Sequence, residues 1–196
     1  MKKNEKKIQN GRSMIEMLGV LAVIGVLSVG GIAGYSKAMM NYRINKTIEQ
    51  ISISASNIRA FISRQRKGSL NNTILKKANL VPEEMWIDSG DVSKGLSNVF
   101  GGTYGISAQT GISDAGVPCG RGIWISLNLI PEEACIALVT HDWHEAQVKS
   151  IGVTNYEQGG RNDFKSFDDL DRAVTACHTE NGILGVGDYI EFEFEI

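Results

Sequence analysis

Three groups of residues carry side chains capable of chemistry. His141, Asp142, His144 and Glu145 stand together in T-H-D-W-H-E and would offer two imidazoles and two carboxylates to a metal ion. The order lacks the H-E-x-x-H spacing that sets two imidazoles on one helical face, and two histidines are too few for a zinc centre, so the plain reading is a surface loop after a helix. Cys177 beside His178 would pair a thiol with a base, but adjacent helical residues point apart. The third group is one acid: Glu16 stands at the head of a twenty-residue uncharged stretch, Met17 to Ser36. A carboxylate at the edge of such a segment costs about 3 kcal/mol on insertion scales, so it calls for a partner, and no basic residue follows it within a helical turn or two.

The elements that would hold these residues start with that apolar stretch. Twenty residues at about 1.5 Å each span the hydrocarbon layer of about 30 Å. Lys2, Lys3, Lys6 and Lys7 against Glu5 make the preceding leader positive, which keeps it cytoplasmic and exports the rest. The full chain has 196 residues, 42% of them apolar, and a formal charge of −2; without the leader's four lysines and one glutamate, 16 basic and 21 acidic side chains remain, or −5. That balance does not point to nucleic acid. In an exported chain Cys119, Cys135 and Cys177 allow one disulfide and leave one thiol over. None of the glycines forms a G-x-G-x-x-G fingerprint, and no metal or cofactor is expected. Trp86, Trp124 and Trp143 read as core or subunit-contact aromatics.

From Ser13 to Arg66 there is no proline. Beyond Lys37 the positions Ile44, Ile48, Ile51, Ala55, Ile58 and Ile62 form one helical stripe, with Arg43, Lys46, Gln50, Asn57 and Arg64 mostly off it. The pattern predicts one helix of about 54 residues ending at Gly68, about 80 Å long, whose second half packs on the chain's own C-terminal head. Gly19, Gly25, Gly30, Gly31 and Gly34 weaken its first half. In the head, Pro82 to Ile87 reads as a short helix opened by proline and acids. Strands are expected at Thr103 to Ser107, Gly122 to Leu129 and, by strict alternation, Tyr189 to Ile196. A helix opens at Pro131 with Cys135, Leu138 and Val139 on one face. Another follows the Ser166 and Asp169 capping box, carries Leu170, Ala173, Val174 and Cys177, and stops at Asn181 and Gly182. The fold class is α+β, a long N-terminal helix packed against an antiparallel sheet.

Read as Gly11, Arg12, Ser13, Met14, Ile15 and Glu16, the segment G-R-S-M-I-E resembles the type IV pilin signature. That resemblance implies cleavage by prepilin peptidase after Gly11. It also gives Glu16 its partner, the new terminal amine of a neighbouring subunit. The runs L-V-P-E-E-M at 80 to 85, N-V-F-G-G at 98 to 102, I-P-E-E-A-C-I-A-L at 130 to 138 and A-V-T-A-C at 173 to 177 resemble the type IVb class, thin-pilus and bundle-forming pilins in particular. In that class the cysteines matching Cys135 and Cys177 form a disulfide closing a D-region of about 135 to 177, which leaves Cys119 free. Arg12 departs from the apolar or small residue usual after the cut.

The implied divisions are a leader at 1 to 11, a transmembrane or filament-core helix at 12 to 36, its amphipathic continuation at 37 to 67 and a globular head at 68 to 196. The implied function is that of a non-enzymatic structural subunit. It would sit in the inner membrane as a single-pass protein, then polymerise with the assembly machinery into an extracellular homo-oligomeric helical filament. A pseudopilin or minor pilin of a secretion system is one alternative. A secreted disulfide-containing binding protein, cut near Ala33 where Gly31 and Ala33 give small-x-small spacing, is the other.

Overall fold

The computed structural model describes residues 14–64, 70–88, 91–112, 118–144, 146–164, 170–185 and 187–196. The chain divides into two compact units, Met1–Asn41 and Tyr42–Ile196. One helix, α1 (Met14–Ile62), begins in the first and ends in the second. It stops short of the expected Gly68, which lies outside the described residues. Ser63 still donates to the Arg59 carbonyl at 3.0 Å, but Arg64 reaches back only to Phe61, at 3.3 Å, the tighter bond of a closing turn.

In the first unit no side chain of α1 between Met14 and Tyr35 is buried, Met14 being 87% and Val26 75% exposed. This part is long and apolar enough to cross a membrane. Among the described residues, a Cβ built at Gly19, Gly25, Gly30, Gly31 or Gly34 meets nothing within 4 Å.

In the second unit the stripe behaves as its spacing requires, with Ile44, Ile51, Ala55, Ile58 and Ile62 buried. Gln50 is a correction. Expected off the stripe, it is 3% exposed, and Thr47 and Ser54 are buried on either side of it. Then come α2 (Asn72–Lys77), a 3-10 turn (Glu83–Met85), a second (Val92–Lys94), β1 (Leu96–Ser97), β2 (Thr103–Ile112), β3 (Pro118–Leu127), α3 (Glu132–Val139), β4 (Val148–Asn155), a third 3-10 turn (Tyr156–Gln158), β5 (Gly160–Phe164), α4 (Leu170–Cys177) and β6 (Tyr189–Phe194). The helix expected over Pro82 to Ile87 is thus a single 3-10 turn, because Trp86 is extended and bridges Leu96. Strand β2 runs past Ser107 to Ile112, and β3 starts before Gly122.

The sheet is antiparallel throughout in the order β1-β2-β3-β6-β4-β5, so the C-terminal strand sits centrally between β3 and β4. Ile106, Ile125, Phe192, Ile151 and Phe164 pair in one row from β2 to β5. The alternate residues make the opposite face polar. There Glu193 accepts from Lys149 at 2.6 Å and from Ser150 at 2.9 Å, and the Lys149 ammonium holds that carboxyl below the usual range. Gly102 is required at the turn into β2, where a Cβ would lie 2.2 Å from the Asn128 carbonyl oxygen.

Tyr104 joins α1 to the sheet by donating its hydroxyl to Gln50 Oε1 at 3.0 Å. Burial pushes its phenol well above the ordinary 10.0, with Thr47 opposing. The folded protein therefore resists ionising this group more than the unfolded chain does. Its stabilising contribution is complete below the unfolded value and is lost as pH rises through the folded one. Replacing Tyr104 by phenylalanine is expected to cost about 1 kcal/mol at pH 7 from the lost hydrogen bond. It should also flatten the fall in melting temperature above pH 10. Thermal melts at the two pH values check both.

Candidate assembly helix and the disulfide-closed region

Glu16 lies in the first turn of α1, where a carboxylate favours the positive end of the helix dipole, and it is exposed. Gly11 and Arg12 lie outside the described residues. What the described part provides is an acid at the head of an apolar surface that no other part of its own unit covers.

The C-terminal region is built around one covalent link. Cys135 on α3 and Cys177 on α4 form a disulfide with Cα atoms 5.8 Å apart and a sequence separation of 42. Both are fully buried. Cys119 falls in β3, with its side chain outside those described. Helix α3 follows Pro131 and carries Glu132 and Glu133 in its first turn, as the sequence predicts, with Ala134, Cys135, Leu138 and Val139 buried. Helix α4 runs from Leu170 with Ala173, Ala176 and Cys177 inward. The Ser166 and Asp169 capping box lies outside the described residues.

Polar contacts reinforce the link. Asn155, fully buried at the end of β4, donates its amide to the carbonyls of Ala176 at 2.9 Å and His178 at 2.8 Å, and accepts from the Glu157 amide at 3.1 Å. It thereby satisfies carbonyls that the end of α4 leaves open. Glu132 lies 3.3 Å from the His178 ring nitrogen and accepts from the Thr179 amide at 3.3 Å. Pro131 pairs with Ile183, so the two ends of the region also meet through backbone. The buried Asp188 accepts from the amides of Tyr156 and Gly185, at 3.0 Å and 3.1 Å. Sequence reading overlooked Asn155 and Asp188, although an Asn or Asp at a strand end is a turn signal. Asn155→Ala is expected to lower stability by about 1–3 kcal/mol through the unsatisfied carbonyls, visible as an earlier thermal transition.

The remaining candidates disperse. Trp143 is 2% exposed, donates to the Leu138 carbonyl at 2.8 Å and packs on Phe192 at 4.8 Å between ring centres. His141 meets the edge of Trp143 at 4.9 Å, and burial lowers its basicity while Asp142 opposes. His144 is exposed near Asp142, and Glu145 lies outside the described residues. Among the described residues no group of three or more His, Cys, Asp or Glu is placed to hold a metal ion. Trp86 is buried with the Lys76 ammonium 5.2 Å from its ring centre. Trp124 lies on the polar face of the sheet over Gly122, where a Cβ would come within 2.9 Å of the ring.

A long apolar N-terminal helix, an antiparallel head with its last strand central and a C-terminal region bearing the cysteine pair define a type IV pilin of the type IVb class. The family model described as PilS N terminal matches residues 31–185, and the chain belongs to that family. Two curated relatives are similar over much of their length. The major structural subunit of bundle-forming pilus from Escherichia coli O127:H6 is 24% identical over 163 residues, covering 83% of this chain and 78% of that one. The protein of the same description from Escherichia coli O111:H- is 24% identical over 136 residues, covering 69% and 66%.

Proposed function

We propose that this chain is the prepilin of a type IVb pilus, a structural subunit that performs no catalysis. Prepilin peptidase cuts it after Gly11. Residues 12–36 anchor it in the inner membrane, and the assembly machinery then packs these helices into the core of an extracellular homopolymer. Residues 37–67 continue the helix, and the head, 68–196, forms the outer surface. Supporting this is the exposure of the apolar half of α1: a surface so long and uncovered requires a bilayer before assembly and other copies after it. The relatives' description as major pilus subunits points the same way.

The open surroundings of the five helical glycines fit a further part of this reading. Residues Gly25 to Gly34 extend or partly melt when the helix leaves the membrane, because glycine disfavours helix by up to about 1 kcal/mol each. A filament map with helical density unbroken through Gly30 and Gly31 would refute that.

Sequencing the mature N-terminus tests the processing step. The expected first residue is Arg12; a start near Gly34 would mark a secreted protein instead, and an intact Met1 an unprocessed anchor. Purified filaments should contain this chain as their main protein.

A further inference from the structure

The middle of the apolar stripe of α1 does not by itself fix where the helix sits along the head. Ile44, Ile51 and Ile58 are all buried and seven residues apart. Moving α1 by seven residues, about 10 Å along its axis, turns its face by only about 20° and leaves isoleucine in two of these three sites, the third receiving Lys37 or Gln65 according to direction. The site of Ala55 would receive Ile48 or Ile62. Through the middle of the stripe, apolar burial alone therefore separates the native and shifted arrangements little.

The polar residues buried in the same face do not repeat. Gln50 Oε1 accepts from the Tyr104 hydroxyl at 3.0 Å, and its Nε2 donates to Glu84 Oε1 at 3.2 Å. Gln50 is 3% and Tyr104 6% exposed. A seven-residue shift would set Arg43 or Asn57 opposite Tyr104. Arg43 has no acceptor for the hydroxyl, and Asn57 is one methylene shorter. A one-turn shift offers Thr47 or Ser54, whose hydroxyls are too short to reach Tyr104 and Glu84 together. Arg59 also binds carbonyls, those of Glu195 at 3.0 Å and Ala146 at 3.1 Å. Ser54 donates to the Met85 sulfur, at 3.7 Å. Gln50 is the helix residue that meets a buried side-chain partner with both ends of its amide in use.

We propose that Gln50, through Tyr104 and Glu84, sets the axial register of α1 against the head. It is a positioning residue, serving as a single buried polar group does where a repeating apolar seam leaves register open. Its importance for assembly rests on the pilin reading, since a filament repeats one head-to-helix offset in every subunit. The register itself does not depend on that reading.

The test uses the full chain in detergent with Cys119→Ser. Ser54→Cys with Met85→Cys reports the native register on oxidation. Thr47→Cys or Phe61→Cys with Met85→Cys reports a seven-residue shift in either direction. With Gln50 and Tyr104 intact, only the native pair should close. The double variant Gln50→Met/Tyr104→Phe replaces both partners by apolar groups of similar shape, which preserves folding. In it the shifted pairs should rise about fivefold or more, the factor that one net hydrogen bond sustains. Shifted pairs at background in a folded double variant would overturn the proposal. Should that variant lose its melting transition, Tyr104→Phe alone decides: a rise supports the register role, and background overturns it. Because the readout is a disulfide within one chain, it stands or falls apart from filament formation.

Discussion

Cys135→Ala is expected to destabilise the head by about 4 kcal/mol. The bond links cysteines at a sequence separation of 42, and chain entropy assigns about that much to opening a loop of this size. For a domain of this length the loss corresponds to a drop of about 10 °C in melting temperature. The remaining Cys177 should add little of its own, because a buried free thiol behaves as a small apolar side chain. Cys135→Ala, Cys177→Ala and the double variant should therefore melt together, a non-additivity that marks one shared bond. Asn155, Glu132 and the Pro131 pairing with Ile183 should keep the region's fold recognisable in the variants at low temperature. A single variant melting within a few degrees of the parent would show that these contacts, rather than the disulfide, hold the region closed.

Glu16→Ala is expected to leave cleavage and membrane insertion intact while abolishing most filament output. Removing a carboxylate from the head of an apolar helix makes insertion cheaper, by about 3 kcal/mol where the acid would be fully immersed, so the membrane pool should not fall. The pilin resemblance implies that in the filament the acid faces a neighbour's new terminal amine, which at neutral pH is largely charged. Truncating one member of a desolvated charge pair costs about 2–5 kcal/mol. Even the lower figure is about 30-fold in the association constant of each added subunit. Glu16→Gln, which retains size and loses charge, should behave like alanine. Quantifying sheared filament against the processed membrane pool separates the two steps. Normal filament output from Glu16→Ala would sink the proposed contact, and loss of processing would shift the role of Glu16 to the peptidase.

Much of this molecule was legible in the chain because periodicity reports burial. The alternation Ile190, Phe192, Phe194 against Glu191 and Glu193 marked a strand with one buried face, and β6 has just that pattern. Pro131 and its two glutamates marked the start of α3 for local reasons that survive any tertiary context. Strand β4 was missed because Ile151 to Asn155 are buried on both faces, so no alternation signals them. Strand β5 was missed for the opposite reason. GRNDF lies at the sheet edge, where Arg161 folds over Gly152 to bind Glu191 and Asp163, both at 2.8 Å, and only Phe164 reaches the core. Helix α2 did carry a signal, Asn71 capping the Ile74 amide with two lysines at its far end, but six residues are too few for a periodic one.

The sequence by itself determined the class of molecule. A lysine-rich N-terminal segment, a glutamate at the head of an uncharged stretch and a stripe continuing that stretch are one-dimensional properties, and no packing arrangement can remove them. Tertiary structure decided what depends on residues distant in sequence meeting. It set the last strand between β3 and β4, joined Cys135 to Cys177, and seated His141 against the edge of Trp143. It also brought Gln50 against Tyr104, 54 residues away. A polar residue in a helix reads as solvent-facing until its partner is known, because burying it is favourable only where another element supplies both a donor and an acceptor.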